Sequence, residues 1–256
     1  MKLYLVGGIV RDFLLKSPVT GKDYDFAVEA SSYDEMRQTL IDEYDAQIWM
    51  EHRPFLTLRA KVRLEIGSFG GLINAGNARD RASMKNAVYV DADFTMCRID
   101  GQYSDQRHPD KVTPGTLFDD LSRRDFTVNA AAVAEDGTFY DPHLASLSVQ
   151  RWELTCVGNA KLRLREDPLR VLRAVRMTVL HKLTMDDGLR RELDNHTTVA
   201  GLATLPSERV REELNKCLAA DWDSTLYYIF VAFPLIRTTL RDAFPNLWFK
   251  ATTETR

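Results

Sequence analysis

The sequence predicts an α+β protein, in which strands and helices share the first part of the chain and the second part is helical. Three observations support this prediction: a strand, glycine turn and helix at 2–14, further strand-like segments up to about residue 140, and helical spacing of apolar residues thereafter. With 256 residues, 45% of them hydrophobic, the chain can bury the cores of two modest domains. We expect these domains at 1–140 and 141–256.

The first elements follow from the local residue pattern. Residues 2–6 (KLYLV) are predicted to form a buried strand that ends at Gly7-Gly8, after which apolar residues recur at helical spacing. A second strand is predicted at 25–28. Ser32 and Glu35 have the spacing of a capping box, which predicts the start of a helix.

Later elements are predicted in the same way. Three further strands are expected at 55–62, 88–97 and 138–140. Segment 67–86 is rich in Gly, Asn and Ser, which is typical of a long surface loop or insertion. Beyond residue 140, two apolar series predict amphipathic helices. The series are Leu169, Leu172, Val175 and Val179, and Val210, Leu214 and Leu218.

Composition excludes several classes of protein. No apolar run approaches the roughly 20 residues of a membrane-spanning helix, and no secretory pattern is visible, so we expect a cytoplasmic protein without a membrane partner. Cys97, Cys156 and Cys217 form no CxxC pair, which favours core packing. The histidines form no HxxxH or HD doublet, so any metal must be held by carboxylates. A net charge of −3 argues against indiscriminate coating of nucleic acid.

Asp23 and Asp25 are the strongest candidates for a metal site. Alternate residues of a strand point to the same face, so Asp23-Tyr24-Asp25 brings two carboxylates together. Such a pair repels itself unless a hard divalent cation shares its oxygens, and magnesium prefers a few carboxylates plus substrate phosphates. The same spacing also occurs in solvated turns and edge strands, so the surrounding motifs decide between these interpretations.

Two other segments could complete this site. The Gly7-Gly8 turn and the helix after it offer backbone N–H groups to an anionic triphosphate, although a tight turn alone would also explain the glycines. Asp93 could add a third carboxylate from a neighbouring strand and so complete a two-metal site, which activates the attacking hydroxyl and steadies the leaving pyrophosphate. The alternative for Asp93 is a surface residue at a strand end.

Charged residues before an apolar stretch form another candidate site. Arg123, Arg124 and Asp125 lie just ahead of Asn129. Guanidinium groups suit phosphates, and carboxylate or amide groups suit ribose hydroxyls. A charge cluster at a helix end has the same pattern, so this segment alone does not decide between the two.

A third candidate lies in the helical part. Glu166 and Asp167 are predicted in the first turn of a periodic helix, where acids are favourable, and Glu166, Arg170 and Arg173 would share one face. A well-capped helix with surface ion pairs would explain this pattern. Alternatively, Asp167 and Arg170 together offer the acceptors and donors that recognise the edge of a base.

Four ordered motifs resemble those of the class II CCA-adding enzymes and bacterial poly(A) polymerases, a branch of the polymerase-β nucleotidyltransferase superfamily. GGIVRD (7–12) with DYDF (23–26) resembles the catalytic motif, and SRRDFTVNA (122–130) resembles the ribose-recognising motif. REDPLRVLRAVR (165–176) resembles the nucleotide-selecting motif, and PSERVREELNK (206–216) resembles the helix that supports it.

The resemblance implies a polymerase-β-like nucleotidyltransferase head, a mixed sheet with helices, followed by an all-helical neck and a shortened body. It implies Mg²⁺ on Asp23 and Asp25, with Asp93 as a further catalytic carboxylate. Asp125 would favour ribonucleotides through the 2′-hydroxyl. The residues that it places at the nucleotide are Gly7, Gly8, Arg11, Arg124, Asp125, Asn129, Glu166, Asp167, Arg170 and Arg173.

The implied reaction transfers CMP and AMP from CTP and ATP to the 3′ end of tRNA without a template. Asp167 and Arg170 would pair with the incoming base, and Glu166 would orient the arginine. Segment 98–121 resembles the flexible loop that lets CCA-adding enzymes switch from C to A. The 67–86 segment is not typical of the family, and bacterial relatives continue into further tRNA-gripping domains. A reduced enzyme or a homo-oligomer would fit this difference.

Three alternatives stay open. A poly(A) polymerase shares the same motifs and would add a ladder of A from ATP alone. A non-catalytic RNA-binding relative would bind RNA without turnover, although the paired aspartates speak against it. A toxin that nucleotidylates a protein or tRNA is the third, and the base-selecting residues speak against that one.

Overall fold

The computed structural model describes residues 1–17, 24–73, 86–100 and 112–246. Asp23, residues 74–85 of the 67–86 segment and residues 101–111 of the 98–121 segment therefore lie outside the described residues. The chain divides into two compact units, Met1–Gln150 and Arg151–Arg256. The change of pattern in the sequence predicts this boundary near residue 140.

A seven-stranded mixed sheet forms the centre of the first unit. The strands of this unit are β1 (Lys2–Val6), β2 (Tyr24–Glu29), β3 (Gln47–His52), β4 (Thr57–Glu65), β5 (Ala87–Met96), β6 (Arg98–Asp100), β7 (Val112–Pro114), β8 (Ala132–Ala134) and β9 (Phe139–Tyr140). β6 pairs with β7, and the others form one sheet in the order β3-β4-β5-β2-β1-β8-β9. Within the described strands of this sheet, β2 and β5 run parallel and the other neighbours run antiparallel.

The predicted strands correspond to β1, β2, β4, β5 and β9, with ends that shift by up to three residues. The sequence pattern did not predict β3 and β8. β3 is an edge strand with five of its six residues exposed, so no alternation of buried and exposed positions marks it. β8 has only three residues, Ala132–Ala134, which is too short for a periodic signal.

Within the described residues of the first unit, five helices accompany the sheet. They are α1 (Gly8–Leu14), α2 (Tyr33–Tyr44), α3 (Ser68–Gly71), α4 (Leu117–Ser122) and α5 (Ala145–Gln150), with 3₁₀ turns at Arg53–Phe55 and Thr127–Asn129. Alternate residues of β4 and β5 are buried, so one face of these strands packs in the core. Phe26 of β2 stacks on Phe94 of β5 there, with ring centroids 5.1 Å apart.

The predicted capping box at α2 is only half formed. The Ser32 side chain accepts a hydrogen bond from the Glu35 backbone N–H at 3.1 Å, as expected. The Glu35 carboxylate accepts instead from the hydroxyl and backbone N–H of Ser31, at 2.5 and 2.7 Å. The hydrogen bond from the Ser31 hydroxyl is the main cause that lowers the pKa of Glu35, to about 2. A complete capping box opens α4, where Thr116 and Asp119 cap each other.

The start of the 67–86 segment is not a surface loop. Phe69 and Ile73 are fully buried and Leu72 is nearly so. The Phe69 ring lies 5.2 Å from the Phe26 ring, and the Phe69 N–H donates to the Glu135 carbonyl at 3.1 Å. Phe69 has φ +52, so the chain turns there in a conformation that helical or strand periodicity does not reveal. The surface-loop prediction is therefore wrong for residues 68–73.

The second unit is mainly helical. Its helices are α6 (Ala160–Glu166), α7 (Arg170–His181), α8 (Asp187–Leu193), α9 (His196–Ala200), α10 (Ser207–Ala220), α11 (Trp222–Tyr227) and α12 (Pro234–Ala243). Two short strands, β10 (Glu153–Leu154) and β11 (Thr184–Met185), pair in parallel. All four residues of the first predicted apolar series are buried. In the second series Val210 is buried, whereas Leu214 and Leu218 are half-buried. The mixed sheet and the helical second unit confirm the predicted fold class.

The helix predicted to open at Glu166 is in fact two helices. α6 ends at Glu166, Asp167 is extended, and α7 begins at Arg170 without an acidic residue in its first turn. The predictions of first-turn acids and of one helical face shared by Glu166 and Arg173 are therefore wrong. Pro168 explains the break, because a proline disfavours helical backbone in the residue before it.

Two predictions from the sequence, on the cysteines and on membrane-spanning helices, can be compared with the described residues. Cys97, Cys156 and Cys217 are buried and free of disulfides, in agreement with the predicted core packing. Of the helices in the described ranges, none combines the length and the apolar character needed to cross a membrane.

Replacing Phe69 with alanine tests whether the 68–73 turn belongs to the core. We expect Phe69→Ala to lower the free energy of unfolding by about 3–5 kcal/mol, since it removes a fully buried ring. Phe118→Ala is the matched control, because Phe118 is 58% exposed and its loss should cost under about 1 kcal/mol. Urea titrations of the two variants provide the measurement, and equal losses would contradict the assignment.

Candidate active site

Asp25 and Asp93 lie next to each other on one face of the sheet. They are register partners on the parallel strands β2 and β5, and such strands are about 4.8 Å apart. Their alternate neighbours Tyr24, Phe26 and Phe94 are buried on the opposite face. The structure therefore places Asp93 on a strand adjacent to Asp25, within β5 and not at its end.

Arg59 is the next residue in the same row. It is the register partner of Asp93 on β4, and its Nε and Nη2 atoms lie 2.5 and 2.6 Å from the two Asp93 oxygens. A bidentate pair of this kind fixes the carboxylate and offsets its repulsion from Asp25. The sequence analysis missed Arg59. The alternation of Arg59, Lys61 and Arg63 along β4 is the signal that could have found it.

The glycine turn approaches Asp25 closely. Gly7 has φ +75 and ψ −138, a conformation that favours glycine. A Cβ atom at this position would lie 3.0 Å from Oδ2 of Asp25. The structure thus brings the backbone of Gly7 against the carboxylate that the sequence predicts as a metal ligand.

A hydrogen-bond network joins α1 to the Asp125–Asn129 segment. The Nε and Nη2 atoms of Arg11 donate to Oδ1 of Asp12 at 2.9 and 2.8 Å, and Nη1 donates to Oδ1 of Asn129 at 3.1 Å. The Asn129 amide then donates to Oδ1 of Asp125 at 3.0 Å. Three residues predicted at the nucleotide, Arg11, Asp125 and Asn129, are therefore linked directly.

Asp120 orients the two arginines of the same motif. Its carboxylate is fully buried and accepts hydrogen bonds from Arg123 and from Nη2 of Arg124, the latter at 2.9 Å. Burial alone would raise the pKa of Asp120, but the adjacent guanidinium groups of Arg124 and Arg123 more than compensate and lower it. Nη1 of Arg124 also donates to the Asn129 carbonyl at 3.3 Å.

The residues Asp12 and Asp120 were not among the sequence candidates. Asp120 lies three and four positions before Arg123 and Arg124, the spacing at which side chains on one helical turn meet. That spacing was available in the sequence. Asp12 contacts its direct neighbour Arg11, a relation for which neither helical nor strand periodicity offers a signal.

The metal prediction depends partly on a residue outside the described set. Within the described ranges, no group of three or more His, Cys, Asp or Glu side chains is placed to hold a metal ion. Asp25 and Asp93 contribute two carboxylates to one face of the sheet. The role of Asp23 stays a prediction.

The second unit holds the other candidate cluster. Oε2 of Glu166 accepts from Nη1 of both Arg163 and Arg170, at 2.8 and 3.0 Å, across the break between α6 and α7. Oδ1 of Asp167 accepts from the Leu169 backbone N–H at 3.1 Å. The Asp167 carboxylate also lies 3.9 Å from Nη2 of Arg209.

Helix α10 supports this cluster from the PSERVREELNK motif. Besides Arg209, it supplies the buried Glu213, whose Oε1 lies 2.5 Å from Nε of Arg176 on α7. Arg173 is half-buried on α7, and its backbone N–H donates to the Leu169 carbonyl at 3.0 Å. Helix α10 therefore contacts Asp167 and α7, while Glu166 and Arg170 pair directly with each other.

Comparison with known proteins gives the family. Residues 3–146 match the model of the Poly A polymerase head domain, which is more than half of the chain. The chain belongs to the poly A polymerase head domain family. This places it among nucleotidyltransferases related to CCA-adding enzymes.

Individual members of this family align with nearly the whole chain. A CCA-adding enzyme of Geobacillus thermodenitrificans is 31% identical over 240 residues, covering 92% of this chain and 48% of the relative. A CCA-adding enzyme of Listeria innocua is 29% identical over 264 residues, covering 98% and 58%. The chain spans about half the length of the curated relatives it matches.

Solved structures of the family share the fold. The Bacillus stearothermophilus CCA-adding enzyme in complex with CTP aligns with a TM-score of 0.65 and 26% identity, covering 96% of this chain and 50% of that one. The Thermotoga maritima CCA-adding enzyme complexed with tRNA_CCA aligns with a TM-score of 0.67 and 21% identity, covering 98% and 50%.

A methyl group at Gly7 is expected to disturb the turn between β1 and α1. Gly7→Ala forces an L-residue into a strained conformation and places its Cβ against Asp25, so it should cost about 1–3 kcal/mol of unfolding free energy. Gly8→Ala is the control, because its Cβ would meet only the end of the flexible Arg11 side chain, at 3.4 Å. Chemical denaturation of both variants measures this, and a Gly8→Ala loss as large as that of Gly7→Ala would refute the explanation.

Neutralising Asp120 should destabilise the protein in a pH-dependent way. Asp120→Asn leaves two guanidinium groups without their buried carboxylate, so we expect a loss of about 3 kcal/mol at pH 7. The pKa of Asp120 is lower in the folded protein than in the unfolded chain. The ionised carboxylate therefore makes its full contribution to the free energy of unfolding above the unfolded-state pKa of about 4. This contribution is lost as pH falls through the lower folded-state pKa.

Unfolding titrations between pH 3 and 7 measure the Asp120 effect. The difference between wild type and Asp120→Asn should stay constant above about pH 5 and shrink below about pH 4. Asp34→Asn is the control, since its ion pair with Arg53 is exposed and should contribute under about 1 kcal/mol. A difference that does not change with pH would rule out the ionised carboxylate as its cause.

Proposed function

We propose that this chain transfers CMP and AMP from CTP and ATP to the 3′ end of tRNA, releasing pyrophosphate, and so adds or repairs CCA. The observation that carries the proposal is the register pairing of Asp25 with Asp93 beside the Gly7 turn. The relatives named CCA-adding enzymes, and the solved complexes with CTP and with tRNA_CCA, support the same substrates.

The carboxylates of this site suit Mg²⁺. Asp25 offers hard oxygen ligands, Asp23 is the second predicted ligand, and Asp93 lies beside Asp25 on the same face. Bound Mg²⁺ would lower the pKa of the attacking 3′-hydroxyl and neutralise the leaving pyrophosphate. Since Arg59 contacts both Asp93 oxygens, we assign Asp23 and Asp25 as the metal ligands and Asp93 as a further catalytic carboxylate.

The network around Arg11 is proposed to bind the sugar and triphosphate. The Gly7-Gly8 turn offers backbone N–H groups, and Arg11 and Arg124 offer positive charge. Because hydrogen bonds already connect Arg11, Asn129 and Asp125, these side chains lose little freedom when a nucleotide binds. We assign Asp125 to the 2′-hydroxyl, which gives a preference for ribonucleotides.

Selection of the base is assigned to the second unit. Asp167 would accept and Arg170 would donate hydrogen bonds to the base edge, so that the protein replaces a nucleic-acid template. The ion pair with Glu166 restricts rotation of the Arg170 guanidinium and so fixes the direction of its donors. Arg173, one turn further along α7, adds a second guanidinium group to this proposed base-recognition site.

A product-length assay tests the proposed function. Purified protein, Mg²⁺ and tRNA lacking CCA are incubated with CTP, with ATP and with both, and we expect complete CCA only when both are present. Asp25→Asn should reduce the rate by about 10³-fold or more, because it removes a carboxylate ligand of the Mg²⁺ that would neutralise the charge at the reacting phosphate. Asp91→Asn, on the same face of β5 two residues from Asp93, is the matched control and should change the rate by less than about threefold.

The outcomes of this assay separate the alternatives. Absence of any extended RNA would contradict nucleotidyl transfer to an RNA 3′ end. RNA binding without turnover, unchanged in Asp25→Asn, would favour the non-catalytic relative. A long ladder of A from ATP alone would establish poly(A) addition, the second candidate, which the description of the family model favours.

A further inference from the structure

A cleft opens on the side of Asp93 that faces β4 and β3. It has a volume of about 170 Å³. Its lining includes Met50, His52, Thr57, Arg59, Asp93 and Thr95. Ligand pockets that enclose a whole small molecule usually measure about 300–1,000 Å³, so this cleft suits one portion of a larger ligand. Since Asp93 forms part of the wall, that portion would lie directly beside the proposed catalytic carboxylate.

The order of the strands separates this cleft from the glycine turn. Asp25 on β2 has β1 and the Gly7 turn on one side, and β5 with the cleft on the other. In nucleotidyl transfer, the attacking and leaving oxygens lie roughly in line on opposite sides of the phosphorus. If the triphosphate lies at Gly7 and Gly8, as the proposed function has it, the attacking hydroxyl approaches from the side of the cleft.

An exposed aromatic side chain, Trp49, contacts the cleft-lining residue Arg59. Trp49 is 56% exposed and lies at an irregularity in the pairing of β3 with β4. The Arg59 guanidinium lies over its ring, 5.6 Å from the centroid, while also holding Asp93. His52 stacks on Phe55 at 4.6 Å with nearly parallel rings. Exposed aromatic faces beside guanidinium groups are the usual surface on which single-stranded bases stack.

Basic residues continue from the cleft along the same face. Arg59, Lys61 and Arg63 alternate along β4, and Lys61 lies over the Tyr89 ring at 5.7 Å. Asp91 is the register partner of Lys61, so acidic and basic residues are interleaved along this face. Because these acidic partners offset much of the positive charge, RNA binding here would rest on stacking more than on contacts of this row with phosphates.

We propose that this cleft binds the 3′-terminal nucleotide of the acceptor RNA, with the base stacked on Trp49 and the sugar beside Asp93. The proposal rests on the proposed function, because that function places the triphosphate at the glycine turn. Arg59 is a positioning residue in this arrangement, since it orients both the Trp49 ring and the Asp93 carboxylate. The hydroxyl groups of Thr57 and Thr95 provide hydrogen-bonding partners for the ribose or its phosphate.

Direct RNA binding tests the proposal without requiring catalysis. The dissociation constant of 5′-fluorescein-labelled tRNA lacking CCA is measured by fluorescence anisotropy for wild type, Trp49→Ala and Trp49→Phe. Loss of one stacking platform should weaken binding by roughly tenfold in Trp49→Ala, and Trp49→Phe should regain most of it. Trp152→Ala is the matched control, because Trp152 is 53% exposed and belongs to the other unit, and it should stay within about twofold.

Two further measurements identify the occupant. 4-Thiouridine at the 3′-terminal position of the RNA should crosslink to a peptide containing residues 49–59, whereas the same probe ten nucleotides upstream should not. In the extension assay, Trp49→Ala should raise KM for the RNA and leave KM for CTP unchanged. A raised KM for CTP with unchanged RNA affinity would assign the cleft to the incoming nucleotide and overturn the proposal.

The other possible results of the RNA-binding and extension assays also support or overturn the proposal. Wild-type protein that binds no RNA, or Trp49→Ala that binds as tightly as wild type, would overturn the proposal even if CCA addition is observed. Conversely, RNA binding that depends on Trp49 in a protein without extension activity would support this binding site while contradicting the proposed function. Because Trp49 is exposed, its replacement should leave the melting temperature within a few degrees, which a thermal scan checks.

Discussion

The parallel pairing of β2 with β5 is the constraint on which the candidate active site depends. It places two carboxylates, Asp25 and Asp93, about one strand spacing apart on one face of the sheet, where they repel each other. Burial of Phe26 and Phe94 on the opposite face keeps the strands in this register, because a slip of one residue would turn the aromatic rings toward solvent. Arg59 then balances the charge of Asp93 from the adjacent strand.

A second layer of polar contacts fixes the groups around this pair. Buried Asp120 holds the arginines that follow α4, and Arg11 connects α1 to Asn129 and Asp125. The contact between Arg11 and Asn129 joins segments that are more than 100 residues apart in the chain. Polar groups shielded from water are costly when unpaired, so such a network favours a single arrangement of its members.

Much of the fold could be predicted from the sequence, because β1, β2, β4 and β5 have strong hydrophobic patterns and α2 has a recognisable cap. The break between α6 and α7 was missed although Pro168 marks it, since periodic apolar residues suggested one helix. Arg59 and Asp120 act through contacts with a neighbouring strand and a helical turn, and motif similarity alone does not reveal such partners. The left-handed turn at Phe69 depends on tertiary packing, which overrides the local preference for loop.

The sequence separation of Asp25 and Asp93 has a consequence for how the protein matures. Helix α2 and strands β3 and β4 lie between β2 and β5 in the chain, so bringing Asp25 beside Asp93 closes a long loop, and pairing of this long-range kind slows folding. A ligand that contacts both strands can bind only when they are paired, and it would therefore stabilise the folded state by mass action.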